Sequence, residues 1–153
     1  MSKENILIIQ ENKKARFDFT IIEVYEAGMV LMGSEVKSLR NKDVQLKDSY
    51  ISFRGEEAFL QNAHIAEYKA SSYNNHAPER LRKLLLNRKE LGEIYGALRE
   101  KGYSCVPLKI YFKNGRAKLE IALVKGKQAH DKREAIKKRD VSNEIRSATR
   151  RSR

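Results

Sequence analysis

Apolar and polar positions alternate with a period of two in three parts of this chain, and once with the period of a helix. The clearest strand pair is "VPLKIYF" and "RAKLEIALV", flanking Asn114 and Gly115. Asn-Gly is the preferred pair for a tight two-residue turn, so this is a hairpin. Leu108, Ile110 and Phe112 alternate with Lys109 and Tyr111, and Leu119, Ile121 and Leu123 with Lys118, Glu120 and Ala122, giving one oily and one wet face. A second hairpin is predicted across "RGEE" (Arg54 to Glu57), its strands running from Tyr50 and on to Ile65. A third is expected in residues 17–40, with a turn at Glu26 to Gly28 and with Gly33 interrupting the second strand. Phe, Ile, Val, Thr and Tyr dominate that block, which favours strands.

The helical period appears in "NRKELGEIYGALREKG". Leu91, Ile94, Tyr95 and Leu98 form one stripe, Asn87 and Glu90 stand in capping-box positions, and Gly102 suits the C-terminal stop. Gly92 and Gly96 share a face and permit close packing there. The segment "KASSYNNHAPERLRK" has the Ser, Asn and Pro of a loop, and the N-terminal stretch before "NKKAR" is short and polar at its ends. Six strands in three hairpins with one good helix predict a mostly β fold, a small antiparallel barrel.

The alternation stops at Gly126, and there charge becomes informative. The chain carries 32 Lys and Arg against 20 Asp and Glu, a net charge of +12. Residues 125–153 hold eleven Lys and Arg against four Asp and Glu, so +7 of the excess sits in the last 29 residues. The division is therefore residues 1–125, an RNA-binding barrel, and 126–153, a basic tail. The tail is expected to be disordered when free, because so charged a segment buries too little to offset chain entropy. Its weak stripe of Ile136, Val141, Ile145 and Ala148 makes it helix-capable on a polyanion. A cationic end of this kind seeks phosphates, whose condensed counterions it releases.

Candidate chemistry narrows the picture further. Cys105 is the single cysteine, so an internal disulfide is excluded, and it reads as a small buried hydrophobe. His64, His76 and His130 lack metal-ligand spacing, and no phosphate loop or nucleophile elbow is present. The expectation is a protein that is no enzyme, has no cofactor or metal, contacts no membrane and works in the cytoplasm. Lys109, Tyr111, Lys113, Arg116 and Lys118 interleave cations with an aromatic, the mixture that grips phosphates and stacks on bases. In "GSEVKSLR", Glu35 and Lys37 would share one face of a strand with Arg40 near its end, either as a surface salt bridge or as an acceptor for a base edge held among cations. A ribosomal structural protein and an RNA-processing enzyme are the rival readings.

Several segments together resemble the small protein B (SmpB) family of SsrA-binding proteins. They are "NKKA", "EAGMVLMGSEVKSLR", "DSYISFRGEEAFLQNAHI", "RLRKLLLNRKEL", "VPLKIYFKNGRAKLEIAL" and "GKQAHDKR", in the family's order across most of residues 12–133. The resemblance implies an oligonucleotide-binding-type barrel with flanking helices that binds the tRNA-like domain of tmRNA, with the ribosome and elongation factor Tu as further partners. It implies delivery of tmRNA to ribosomes stalled on truncated messages. The tail would then occupy the empty message channel and the decoding region of the small-subunit RNA, and the stalled product would be tagged for degradation. Carried over by residue, it implies tmRNA contacts at Asn12, Lys13, Lys14, Glu35, Lys37, Arg40 and Lys118. It puts the body-to-tail junction at Gly126 and the decoding-region contacts at His130, Asp131, Lys132 and Arg133.

Overall fold

The computed structural model describes residues 5–68 and 75–126. Along the chain come β1 (Ile6–Glu11), α1 (Lys13–Asp18), β2 (Phe19–Met29), α2 (Gly33–Arg40), β3 (Val44–Gln45), β4 (Tyr50–Arg54) and β5 (Glu57–Gln61). Then follow β6 (His64–Ile65), β7 (Arg82–Leu85), α3 (Arg88–Leu98), β8 (Tyr103–Lys113) and β9 (Arg116–Gly126). Seven strands form one sheet in the order β1-β8-β9-β2-β7-β5-β4, while β3 and β6 make a separate ribbon. The pairings are antiparallel, and β4 comes back to lie against β8, so the sheet curls into the expected barrel.

The β8–β9 hairpin is the frame. Asn114 (φ 52°) and Gly115 (φ 82°) both take the left-handed conformation that the turn demands, and Lys113 faces Arg116 across it. Ile110, Leu119 and Ile121 enter the core fully buried. The alternation does not run unbroken, however. A bulge between Pro107 and Lys109 shifts the register at a residue that has no N–H to donate. Leu108 is thereby turned to the opposite face from Ile110 and Phe112, which corrects the single oily face expected for all three. With Val106, Ala122 and Val124 it forms a second, smaller core, capped by Ala15 of α1. So α1 covers one half of the sheet's outer face and leaves the other half open.

The β4–β5 hairpin turns at Gly55 (φ 63°), as its sequence indicates, but β5 ends at Gln61, where Asn62 takes φ 68°. His64 and Ile65 pair instead with Gln45 and Val44. The α3 helix begins as predicted. Asn87 Oδ1 accepts the Glu90 amide at 2.8 Å and the Glu90 carboxylate accepts the Asn87 amide at 3.2 Å. Ile94 is fully buried, with Leu91 and Leu98 partly so, while Tyr95 stays 45% exposed. Gly92 and Gly96 face open space rather than close packing.

Three expectations are overturned. Residues 17–40 are not a hairpin, because β2 runs straight through the expected turn to Met29, paired with β9 as far as Gly28 opposite Lys118. Gly28 is a site of close approach, not of turning: a Cβ there would meet the Leu85 Cβ at 3.3 Å. "GSEVKSLR" is a helix, α2, with Ser34, Glu35, Ser38 and Leu39 buried on one face. Finally, β7 begins inside the expected loop, at Arg82; the N-terminal stretch, read only as short and polar at its ends, forms β1, which pairs with β8 and buries Ile9.

Cys105 is 1% exposed, and burial pushes its thiol up to about 12. The native protein should therefore leave an aromatic disulfide reagent unreacted at pH 8 and consume one equivalent after denaturation. A fast native reaction would show that the core opens at this strand. Among the described residues no helix is long and apolar enough to cross a membrane.

Candidate nucleic-acid interface

The open half of the outer sheet face brings the interleaved residues of β8 and β9 together. Lys118 lies opposite Tyr111 on one side and Gly28 on the other, and Lys113 lies opposite Arg116. Two carboxylates organise these cations. The Tyr111 hydroxyl donates to Glu26, and Lys113 Nζ approaches the same carboxylate at 3.4 Å. Glu120 draws in Lys109 at 3.7 Å and Arg16 of α1 at 3.6 Å. The Tyr111 hydrogen bond, followed by the charges of Lys113 and Lys118, outweighs partial burial and holds the Glu26 carboxyl below its ordinary range. Glu26 is thus a fixed anion that spaces cations. Leu85, 53% exposed, borders the patch opposite Gly28.

Five cations against three carboxylates, counting Glu11 opposite Lys109, leave this face net positive, and four of the five cations lie on paired strands. Such a surface meets a phosphate backbone at fixed spacing. Tyr111 does not offer a stacking platform, as it is 4% exposed, with Lys109 Nζ 5.5 Å from its ring centroid. Its packing role prevails over stacking because its polar end is committed to Glu26.

The other expected contacts are distributed around the body. Asn12 is buried, its side-chain amide donating to the Pro107 carbonyl at 2.9 Å, so it ties α1 to the β8 bulge. Lys13 and Lys14 are exposed on α1, and Lys14 pairs with Asp48 at 3.5 Å beside a cleft of about 270 Å³ between α1 and β4. Lys37 and Arg40 are exposed on α2. Lys37 Nζ sits 5.3 Å from the Tyr68 ring centre, and the Arg40 guanidinium 4.9 Å from that of Phe112, near the β8–β9 turn. Gly126 closes β9 opposite Phe19. His130, Asp131, Lys132 and Arg133 lie outside the described residues.

Glu35 needs correcting most. It was expected on a strand facing RNA, yet it is completely buried. Its Oε1 accepts Arg80 Nη2 at 2.5 Å and the Met32 amide at 2.8 Å, while its Oε2 accepts Arg82 Nε at 2.6 Å. Arg82, also fully buried, donates from Nη1 to the Ala63 carbonyl and from Nη2 to the Pro78 carbonyl, both at 2.8 Å. Burial alone would raise the Glu35 carboxyl, but the hydrogen bonds from Arg80, Met32 and Arg82 outweigh it and hold the group below its ordinary value. The same helix supplies Ser34, whose hydroxyl meets His76 Nδ1 at 2.8 Å, while His76 Nε2 donates to the Ile65 carbonyl at 2.8 Å. Asn75 closes this region by taking both polar groups of the Tyr68 backbone, at 3.1 and 3.0 Å. These contacts fasten α2 and the segment from Asn75 to Arg82 to the barrel.

Sequence reasoning missed Glu26, Arg16, Glu120 and Leu85. A strict period-two reading through the supposed turn puts Glu26 and Gly28 on one face of β2, but only the pairing with β9 sets them opposite Glu120 and Lys118. Among the described residues no group of His, Cys, Asp and Glu is arranged to hold a metal ion.

Comparison with known proteins agrees with this architecture. The family model described as "SmpB protein" matches residues 9–151. An SsrA-binding protein of Bdellovibrio bacteriovorus is 83% identical over 150 residues, covering 98% of this chain and 99% of the relative. One from Geobacter sulfurreducens is 54% identical over 143 residues, 94% of each chain. A solved structure presented as "tmRNA-SmpB: a journey to the center of the bacterial ribosome" matches with a TM-score of 0.68 and 46% identity, over 83% of this chain and 93% of that one. A profile spanning barrel and tail alike, and relatives matched end to end, place this chain in the SmpB family of SsrA-binding proteins.

Proposed function

We propose that this chain is the protein partner of tmRNA in trans-translation. It binds the tRNA-like domain of tmRNA and carries it to ribosomes stalled on truncated messages. The observation that carries this reading is the outer face of β8, β9 and β2, where Lys109, Lys113, Arg116 and Lys118 stand in strand register around Glu26 and Glu120. Lys13 and Lys14 on α1, with Lys37 and Arg40 on α2, extend the cationic surface around the body. Asn12 and Glu35 act from beneath, by fixing the helices that bear these cations.

Residues 1–125 serve as the RNA-binding body, and the tail from Gly126 onward serves the ribosome. His130, Asp131, Lys132 and Arg133 would meet small-subunit RNA at the decoding region, standing where a codon–anticodon pair normally forms. Elongation factor Tu is the further partner in delivery, the cytoplasm is the setting, and the role is one of binding without catalysis.

Salt dependence tests the face directly. The slope of log affinity for the tRNA-like domain against log salt should shrink by about 0.9 for each phosphate contact removed. An Arg116→Ala, Lys118→Ala double variant should therefore show a slope shallower by about 1.8 if each residue holds one phosphate. An unchanged slope with unchanged affinity would remove this face from the interface.

A further inference from the structure

The cleft of about 270 Å³ between α1 and β4 has a lining unlike the cationic face of β8 and β9. Ala15, Phe19 and Val106 give it apolar walls. Tyr50 closes one side, 39% exposed, and its ring pairs with no other ring or cation among the described residues. The free polar groups here include three acceptors. Asp18 is half-buried, and its carboxylate makes no ion pair and accepts no hydrogen bond among the described residues. Asn12, 9% exposed, commits its Nδ2 to the Pro107 carbonyl, while its Oδ1 accepts nothing among the described residues and is not sealed from solvent. Asp48 brings a second carboxylate to the mouth, where Lys14 Nζ approaches its Oδ1 at 3.5 Å.

Acceptors without donors select a ligand that brings donors. Apolar walls and an unpaired aromatic ring select one that is flat. The volume, just under the small-molecule range of about 300–1,000 Å³, suits a single ring system with its sugar. Lys14 at the mouth, with the exposed Lys13 beside it in α1, selects for a phosphate next to that ring. Among the nucleobases, guanine alone sets two adjacent donors, its ring N–H and its exocyclic amine, on the Watson–Crick edge, where one carboxylate accepts both. That edge is free only in an unpaired base. An arginine side chain is also flat and rich in donors, but the lysines at the mouth repel it.

We propose that this cleft binds one unpaired guanosine nucleotide of RNA. Asp18 accepts from the guanine ring N–H and amine, Asn12 Oδ1 takes the second amine hydrogen, and the base lies against Tyr50. Lys14 turns from Asp48 onto the adjacent phosphate. Both members of that ion pair are exposed, so it opens at little cost. The cleft then reads the identity of one base, whereas the face of β8 and β9 grips phosphates whatever the sequence. That the guanosine belongs to the tRNA-like domain rests on the function proposed above; the preference of the cleft for guanine stands on its own lining.

Mononucleotides test the cleft on the full chain without tmRNA. In amide NMR titrations, guanosine monophosphate should shift Ala15, Asp48 and Ser104 saturably, with a dissociation constant in the millimolar range. Adenosine, cytidine and uridine monophosphates should shift Arg116 and Lys118 to the same extent as guanosine monophosphate but leave the three cleft amides far from saturation. Inosine monophosphate, which lacks only the amine, should bind the cleft about tenfold more weakly, the effect of one lost hydrogen bond to a charged group. Asp18 has no partner to lose, so Asp18→Asn keeps the fold; it should cost about tenfold in guanosine affinity and erase the preference over inosine. Tyr50→Ala should weaken guanosine binding about fivefold or more by removing the stack. Equal saturation by all four nucleotides, or guanosine binding unchanged in Asp18→Asn, overturns the proposal. So does tighter binding there of acetyl-arginine amide, which would make the cleft a receptor for a protein side chain. Filter binding to tmRNA keeps the two readings apart. A chain that binds tmRNA but shows no guanosine preference in the cleft overturns this inference alone; guanosine preference without tmRNA affinity overturns only the function proposed above.

Discussion

Truncated after Gly126, the protein keeps tmRNA affinity within about fivefold, or ~1 kcal/mol, and loses tagging on stalled ribosomes altogether. Among the described residues both hydrophobic clusters are built from Ile9 to Val124, and these contacts stay in the truncated chain. The ordered cations of the outer face remain. The small expected loss is the long-range attraction of the departed tail, which carries +6 of the molecule's net charge of +12 and should matter most at low salt. Filter binding to the tRNA-like domain, run beside a tagging reaction on ribosomes bearing a truncated message, separates the two activities. If the shortened chain loses most of its tmRNA affinity, the division between body and tail is wrong.

Replacing Glu35 by Ala should destabilise the fold by about 3–5 kcal/mol, because it strands a buried guanidinium. Arg82 has no exposure through which water could replace its partner. Against a typical stability of about 5–15 kcal/mol, that loss is roughly a fifth of the total or more. Losing the exposed pair of Lys14 and Asp48 should cost under about 1 kcal/mol. Urea denaturation of Glu35→Ala beside Lys14→Ala makes the comparison, and equal midpoints would contradict the buried network.

The same network gives an acid limb of known sign. The folded protein holds the Glu35 carboxyl below its ordinary value, so its stabilisation is complete above the unfolded value and fades as pH falls through the depressed folded one. Stability should therefore drop more steeply with acid in the parent than in Glu35→Gln. Weakened tmRNA binding in a Glu35 variant then reports a loosened α2, to be separated from Lys37→Ala or Arg40→Ala, whose side chains are on the surface.

What the sequence revealed divides along the range of the forces involved. The β8–β9 hairpin was legible because Asn114 and Gly115 prescribe the turn locally, and α3 because Asn87 and Glu90 satisfy each other three residues apart. The α2 helix was hidden by the apolar run from Met29 to Met32 just before it, which reads as a strand continuing into "GSEVKSLR". β7 was hidden because "RLRK" looks like solvated charge. Arg82 is buried only because Glu35 arrives from 47 residues away, and no local period carries that information. The Pro107 bulge shows the reverse: alternation was visible but its interruption was not, and Leu108 changed sides. For the interface, the interleaved cations of β8 and β9 were readable as a pattern, whereas their anchoring by Glu26 needed the third strand.

The paired hydrogen bonds between Asn75 and the backbone of Tyr68 make a stem whose two sides stay together whatever lies between. An insertion between Tyr68 and Asn75 then adds mainly the closure entropy of a longer connection, about 0.6 kcal/mol for each doubling of its length. That makes the stem a grafting point, where a fluorescent reporter or an affinity peptide can be inserted to follow the molecule through translation while both its termini remain native.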